Sequence, residues 1–187
     1  MEVHIFDALA RPALMDAVRQ MRFQVYCVDE KYELESEHPL GRFKDDPWDS
    51  VATTYLVEDQ GKYLASCRVV WDGWRPFPCE VHCPADSPLP PGPLAECSRI
   101  ISPRANDKTG LRSTRMATFE MLAKVIEDMW FFGCNGTVGA VDDRFLRMLN
   151  RAGLPFEILG PPVEYHGIRR LVGFARSELK DPRWLPT

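Results

Sequence analysis

Charged residues stand inside two segments of this chain whose hydrophobicity assigns them to a protein core. Arg68 lies within residues 63–71, and Glu96 and Arg99 lie within residues 95–101. Both segments have the composition of half-buried β-strands. An unpaired charge buried there would cost several kcal/mol or more. The fold must therefore bring partners of opposite charge to these two strands.

Further charges elsewhere in the sequence can supply those partners. The complete set is Arg22, Asp46, Asp49, Arg68, Glu96 and Arg99. Three carboxylates and three guanidinium groups can balance one another in one desolvated polar cluster. Clusters of this kind often line active sites, so we expect the chemistry of the protein here.

Length and composition limit the class of protein. The chain has 187 residues, of which 45% are hydrophobic and 27% charged, and this predicts a single globular domain over residues 1–187. The net charge of −4 argues against a broad nucleic-acid surface. The sequence shows neither an apolar run of about 20 residues nor a secretory leader pattern. We therefore expect a cytoplasmic protein without a membrane span.

Six cysteines are distributed along the chain, three of them in apparent core segments. This distribution favours reduced cysteines that act as small apolar side chains. Cys79, His82 and Cys83 lie close together in the sequence, but the second ligand pair of a zinc finger does not follow at the usual distance. We predict no metal site.

The apolar periodicity predicts the order strand, helix, three strands, helix, strand, helix and two strands. The strands are placed at residues 3–6, 53–58, 62–71, 94–102, 137–141, 156–159 and 170–175. The helices contain residues 14–25, 116–129 and 142–151, and residues 29–50 form a long acidic loop or lid. The predicted fold class is α/β (α+β), with a central, mostly antiparallel sheet.

Large apolar side chains can pack in the core or line a ligand pocket. Met116, Phe119, Leu122, Val125, Ile126 and Met129 recur at helical spacing and mark a buried face. For Trp71, Trp74, Phe119, Met121 and Met129, packing in the core is favoured over lining a ligand pocket.

Four motifs in order resemble the acyl-homoserine-lactone synthases (autoinducer synthases) of the GCN5-related acyltransferase superfamily. They are Arg22-Phe23-Gln24-Val25-Tyr26, Asp46-Pro47-Trp48-Asp49, Arg68 and Glu96-Cys97-Ser98-Arg99. The resemblance covers residues 20–100 well. It implies a GCN5-related N-acyltransferase-like fold, a twisted sheet flanked by helices, and no cofactor. It also implies acyl transfer from acyl carrier protein or coenzyme A to S-adenosylmethionine, which yields a lactone used in quorum sensing.

The resemblance also implies roles for individual residues. Glu96 and Ser98 correspond to catalytic positions. Arg22, Tyr26, Tyr32, Asp46, Asp49, Arg68 and Arg99 correspond to substrate-binding positions. Tyr32 stands where these synthases generally have tryptophan, and the segment before Asp46 is slightly longer. Residues 160–167 resemble N-acyl amino acid synthases and exosortase-associated acyltransferases. An amino acid is therefore an alternative acceptor.

Each carboxylate of the cluster has a possible role in the reaction and a simpler structural interpretation. Glu96 can take the proton of the attacking amine, directly or through water, or it can form a structural salt bridge with Arg68 or Arg99. Asp46 and Asp49 can hold the amine and sulfonium of S-adenosylmethionine, or they can belong to a solvated acidic turn. Amides near residues 100 and 101 would stabilise the thioester oxyanion if the strand bulges there.

Basic residues at helical spacing suggest how an acidic carrier protein would dock. Arg144, Arg147 and Arg151 fall on one helix, and Arg104, Lys108, Arg112 and Arg115 form a second group. A solvated helix face is the simpler interpretation of either group. A non-catalytic module that only binds a ligand in the charged cleft also remains open, and thiol release distinguishes it from an enzyme.

Overall fold

The structure is a computed structural model that describes residues 1–44, 46–104 and 108–185. These residues form seven strands and four α-helices. The elements are β1 Glu2–Asp7, α1 Pro12–Phe23, β2 Thr53–Asp59, β3 Lys62–Trp71, α2 Pro78–His82, β4 Leu94–Ile101, α3 Lys108–Phe131, β5 Gly136–Val141, α4 Asp143–Arg151, β6 Glu157–Glu164 and β7 Ile168–Ala175. No helix in the described ranges is long and apolar enough to span a membrane.

The chain divides into two compact units. The first comprises Met1–Val69 and Arg99–Leu122, and the second comprises Val70–Ser98 and Ala123–Thr187. The chain passes from the second unit to the first within β4 and returns within α3. That residues 1–187 behave as one domain stays a prediction.

Strands β1, β2 and β3 of the first unit pair antiparallel. β1 and β2 align from Glu2↔Glu58 to Asp7↔Thr53. β2 and β3 form the predicted hairpin, which closes with Asp59 opposite Lys62. The two turn residues, Gln60 and Gly61, both have positive φ, at 50° and 77°. Two-residue turns with positive φ match the twist of antiparallel strands.

Helix α1 packs an apolar stripe into the core of the first unit. Pro12 occupies an early helical position, where its missing N–H costs little. Met15, Val18 and Met21 are buried in a cluster with side chains that include Leu56. Arg22 is buried at the end of the helix, which then continues as a π-helical segment, Gln24–Asp29. This segment carries Tyr26, so Tyr26 lies beyond the regular α-helical turn.

The second unit combines parallel and antiparallel pairing. β4 pairs parallel with β5, and β7 pairs antiparallel with both β5 and β6. Asp142 caps α4, because its carboxylate accepts the N–H of Phe145 at 2.7 Å. The predicted fold class, a mostly antiparallel sheet combined with helices, is confirmed.

The predicted buried face of α3 is wrong at its start. Met116 is 45% exposed, although Met121 and Met129 are fully buried. The buried stripe begins at Ala117, and Met116 lies about 100° around the helix from that position. Trp74, expected in the core, is 54% exposed in a short 3₁₀ turn after β3. The six cysteines are buried free thiols.

Candidate active site

The first unit brings together five of the six predicted charges, starting with Arg22 and Asp49. Arg22 Nη1 donates to Asp49 Oδ2 at 2.6 Å, and Arg22 Nη2 donates to Asp49 Oδ1 at 3.0 Å. Arg22 is 0% exposed and Asp49 is 3% exposed. Burial lowers the pKa of Arg22 even though the Asp49 charge and hydrogen bond act to raise it. Two parallel hydrogen bonds fix both side chains in one geometry.

Asp46 links the other two arginines of the first unit. Its Oδ2 atom lies 2.7 Å from Arg68 Nη1 and 2.9 Å from Arg99 Nη2. Arg68 Nη1 also lies 3.5 Å from Asp49 Oδ1. Burial acts to raise the pKa of Asp46, but Arg68 and Arg99 outweigh it and hold that pKa well below its usual range. Asp46 is therefore ionised at neutral pH.

A single turn places both aspartates. Asp46 is the N-cap of the 3₁₀ turn Pro47–Val51, and its carboxylate accepts the N–H of Trp48 at 3.0 Å. Three residues complete a 3₁₀ turn, so Asp49 follows Asp46 on the same face. The three-residue spacing of Asp46 and Asp49 thus places both carboxylates beside arginines of α1, β3 and β4.

Aromatic rings surround Arg99, and the sequence analysis missed one of them. The Arg99 guanidinium lies 5.4 Å from the ring centre of Tyr26 and 5.3 Å from that of Phe43. Phe43 in turn stacks on His38 at 4.6 Å. Tyr32 lies 6.4 Å from Tyr26. The signal in the sequence was a large apolar side chain, Phe43, within an otherwise acidic loop.

The backbone of β4 is irregular at Arg99. Its φ is +51°, which is uncommon for a residue other than glycine. The pairing of β4 with β5 runs from Leu94↔Gly136 to Glu96↔Val138. In the sequence analysis, the oxyanion role of the amides near residues 100 and 101 depended on a bulge there, and the irregular residue lies just before them. Whether the neighbouring amides bind an oxyanion stays a prediction.

Glu96 belongs to the second unit, where it is 1% exposed. Its Oε2 atom accepts the backbone N–H of Cys79 at 2.8 Å. Ser98, the other predicted catalytic residue, is half-buried two positions further along β4. Cys97 packs in the core, where its sulfur lies 3.8 Å from Met129 Sδ, so it is unsuited to act as a nucleophile.

The predicted docking arginines are exposed. Arg144, Arg147 and Arg151 all lie on α4 with exposed side chains. In the alternative group, Arg112 and Arg115 are exposed near the start of α3, whereas Arg104 pairs with Glu30 at 3.1 Å. The side chain of Lys108 lies outside the described residues.

One group in the described part of the chain has the side chains of a metal site. Possible ligand atoms of Glu33, Glu37 and His38 all lie within 4.8 Å of one another. However, His38 Nδ1 accepts the backbone N–H of Lys44 at 3.2 Å, which leaves the proton on Nε2. Nε2 then donates to Glu33 at 2.8 Å. The hydrogen bond between His38 and Glu33 therefore accounts for the proximity of these two side chains without a metal ion.

No protein-family model and no curated protein sequence matches this chain. Solved structures do match its fold. TofI, solved in a ternary complex with an inhibitor and MTA, has 21% identity, covers 94% of this chain and 91% of its own, and gives a TM-score of 0.70. BjaI, a CoA-dependent acyl-homoserine lactone synthase solved with SAM and isopentyl-CoA, has 19% identity, coverages of 95% and 85%, and a TM-score of 0.62.

FeeM, an N-acyl amino acid synthase from uncultured soil microbes, is also similar. It has 12% identity, covers 96% of this chain and all of its own, and gives a TM-score of 0.63. The chain therefore has the acyltransferase fold that acyl-homoserine-lactone synthases and N-acyl amino acid synthases share. This fold was expected from the four motifs.

Proposed function

We propose that this protein is an N-acyltransferase that acylates the amine of S-adenosylmethionine with an acyl group from a thioester. The products are an N-acyl-homoserine lactone, used as a quorum-sensing signal, and methylthioadenosine. One observation carries the proposal. Residues from three of the four synthase-like motifs, together with Arg99 of the fourth, meet in one buried cluster of ion pairs. Buried ion pairs contribute little net stability because desolvation offsets their attraction, so we interpret this cluster as functional.

The proposed reaction begins with the loss of a proton from the acceptor amine to Glu96, directly or through water. The amine nitrogen then attacks the thioester carbonyl, the C–S bond breaks, and the thiol leaves with a proton. In the second step, the acceptor carboxylate attacks the carbon beside the sulfonium and displaces methylthioadenosine. Ser98 orients the reacting groups by hydrogen bonding in this scheme.

The charge cluster binds the acceptor in this proposal. Arg68 and Arg99 attract its carboxylate, and Asp46 and Asp49 favour its amine and sulfonium. Tyr26 and Tyr32 supply aromatic surface for the adenosine group. Arg22 acts through Asp49, whose position it fixes by two hydrogen bonds.

An N-acyl amino acid synthase is the second candidate, and two observations favour it. Asp46 and Asp49 are already paired with arginines, which reduces the negative charge they offer to a sulfonium. Tyr32 also provides a smaller ring than tryptophan would for an adenine base. A plain amino acid needs neither feature, because it carries no sulfonium and no adenosine.

The donor in this proposal is a thioester of acyl carrier protein or of coenzyme A, and no cofactor takes part. An acidic carrier protein would dock on Arg144, Arg147 and Arg151 of α4, whose exposed positive charges attract it. The proposed site of action is the cytoplasm, where both donors are made.

A single assay separates the candidates. Purified protein and acyl donor are mixed with S-adenosylmethionine or with amino acids, and free thiol and methylthioadenosine are both measured. Equal release of the two with S-adenosylmethionine supports the lactone route. Thiol release with amino acids but not with S-adenosylmethionine supports the second candidate. Binding of either acceptor without thiol release from any donor would contradict both and indicate a non-catalytic binding module.

A further inference from the structure

A cavity of about 530 Å³ lies beside the last turns of α3, within the second unit. Its volume falls in the range of about 300–1,000 Å³ that is typical of small-molecule sites. The residues that line it are outside the four synthase-like motifs, and the proposed acyl transfer gives them no role. They are Lys124, Glu127, Asp128, Trp130, Phe131 and Arg176.

Trp130 brings a buried hydrogen-bond donor to the cavity. It is 6% exposed, and its Nε1 atom has no hydrogen-bond partner in the described part of the chain. Trp184 is the natural comparison, because it is 7% exposed and its Nε1 donates to the Ala152 carbonyl at 2.8 Å. Nearly all buried donors have partners, since an unpartnered one costs free energy. The Trp130 indole N–H therefore has a hydrogen bond to offer to a ligand.

Arg176 brings a positive charge to the same place. Its guanidinium carbon lies 5.0 Å from the ring centre of Trp130. No carboxylate within the described ranges forms an ion pair with Arg176. The other lining cation, Lys124, pairs with Glu127 at 2.9 Å and with Asp128 at 3.0 Å. Arg176 can therefore bind the anionic group of a ligand without breaking an existing ion pair.

We propose that this cavity binds a small organic carboxylate with an apolar body. The carboxylate accepts hydrogen bonds from the Arg176 guanidinium and the Trp130 N–H. A single negative charge fits this site better than the nearly two charges of a phosphate, because Glu127 and Asp128 also line the cavity and repel further negative charge. The ring of Phe131 is 82% exposed and packs against the apolar body of the ligand. The proposal is independent of the acyl-transfer reaction.

Octanoate is the probe, and the indole N–H signals in a proton–nitrogen NMR spectrum report where it binds. The Trp130 signal is assigned from its loss in Trp130→Phe. We expect this signal to move downfield and to saturate with octanoate, because a hydrogen bond to a carboxylate deshields the proton. The Trp184 signal should stay in place, because its N–H already has an acceptor. A Trp130 signal that does not move, or that moves no further than the Trp184 signal, would overturn the proposal.

Calorimetric titration of variants with octanoate tests the two donors. Arg176→Gln removes a charge at an exposed position and should raise the Kd at least about tenfold, since hydrogen bonds between charged groups are strong. Arg176→Lys keeps the charge and should recover part of the affinity. Trp130→Phe keeps a ring without the donor and should raise the Kd about fivefold. Arg112→Gln, at an exposed arginine near the start of α3, is the matched control and should leave the Kd unchanged. Thermal unfolding checks that each variant folds.

Two further probes separate the charge of the ligand from its apolar body. Octanol lacks the charge and inorganic phosphate lacks the apolar body, so each should bind at least about tenfold more weakly than octanoate. Octanol that binds as tightly as octanoate would indicate only an apolar groove, and phosphate that does so would indicate only an anion site. Either result would overturn the proposal, as would a folded Arg176→Gln protein with the wild-type Kd or an equal loss of affinity in Arg112→Gln.

Discussion

Arg22 and Asp49, which are 27 residues apart in the sequence, form a buried bidentate ion pair. The pair joins the end of α1 to the turn that precedes β2. The intervening acidic segment is therefore fixed at both ends although it contains little regular structure. The pair therefore fixes Asp49 in the proposed acceptor site, and the contacts of Asp46 with Arg68 and Arg99 fix the rest of the cluster.

Asp49→Asn should destabilise the protein by about 3–5 kcal/mol, because it leaves the Arg22 charge buried without its carboxylate. Urea denaturation measures the loss. Asp16→Asn is the matched control, because Asp16 forms ion pairs with Arg19 and Arg42 at a partly exposed position. Such surface pairs contribute at most about 1 kcal/mol. Equal losses in the two variants would contradict the importance of burial.

Stability should fall with acid through Asp46. Its pKa is lowered in the folded state by Arg68 and Arg99, so the unfolded chain binds a proton at higher pH than the folded protein does. The stabilisation is complete above the unfolded value of about 3.9 and is lost as the pH falls below it. The difference in unfolding free energy between wild type and Asp46→Asn should therefore be constant from pH 5 to 7 and shrink below about pH 4. A difference that stays constant down to the acid transition would disprove this coupling.

Glu96→Gln should lower kcat for thiol release by about 100- to 10,000-fold, since it keeps the shape of the side chain and removes the base. Initial rates with saturating donor and acceptor measure the effect. Glu120→Gln, on the exposed side of α3, is the control and should have the wild-type rate. A folded Glu96→Gln protein that releases thiol at the wild-type rate would rule out Glu96 as the base.

Reversing two charges on α4, in Arg147→Glu with Arg151→Glu, should raise the KM for a carrier-bound donor and reduce its salt dependence. The KM for coenzyme-A donors should be unchanged, because a coenzyme-A thioester has no carrier protein that must dock on α4. The control reverses Arg112 and Arg115 on α3. If only the control variant raises this KM, the carrier protein docks at the start of α3 and the assignment to α4 is wrong.

Gln60→Asn should stabilise the first unit by roughly 0.5–1 kcal/mol, because asparagine tolerates the positive φ of this turn better than glutamine does. The melting temperature should rise by about 1–4 °C. The same change at Gln20, within α1, should lower it slightly, since asparagine is the poorer helix former. A lower melting temperature for Gln60→Asn would show that the turn does not prefer asparagine.

The sequence by itself determined the elements whose signals are local. The hairpin of β2 and β3, the cap of α4 at Asp142 and the apolar stripe of α1 each depend on residues within a few positions of one another. The motif spacing of Asp46 and Asp49 likewise places both carboxylates on one short turn. A buried arginine in an apolar strand also requires a partner, so the existence of the charge cluster followed from the sequence.

Only the tertiary structure decided which charges pair and what surrounds them. Asp46 bridges Arg68 and Arg99, Asp49 holds Arg22, and Phe43 packs against Arg99. Cys79 contacts Glu96 from α2, in a proline-rich stretch whose course no periodicity predicts. These contacts join residues many positions apart, and several pairings satisfy the same count of charges. The register of the strands and the cost of leaving any buried charge without a partner select one of them.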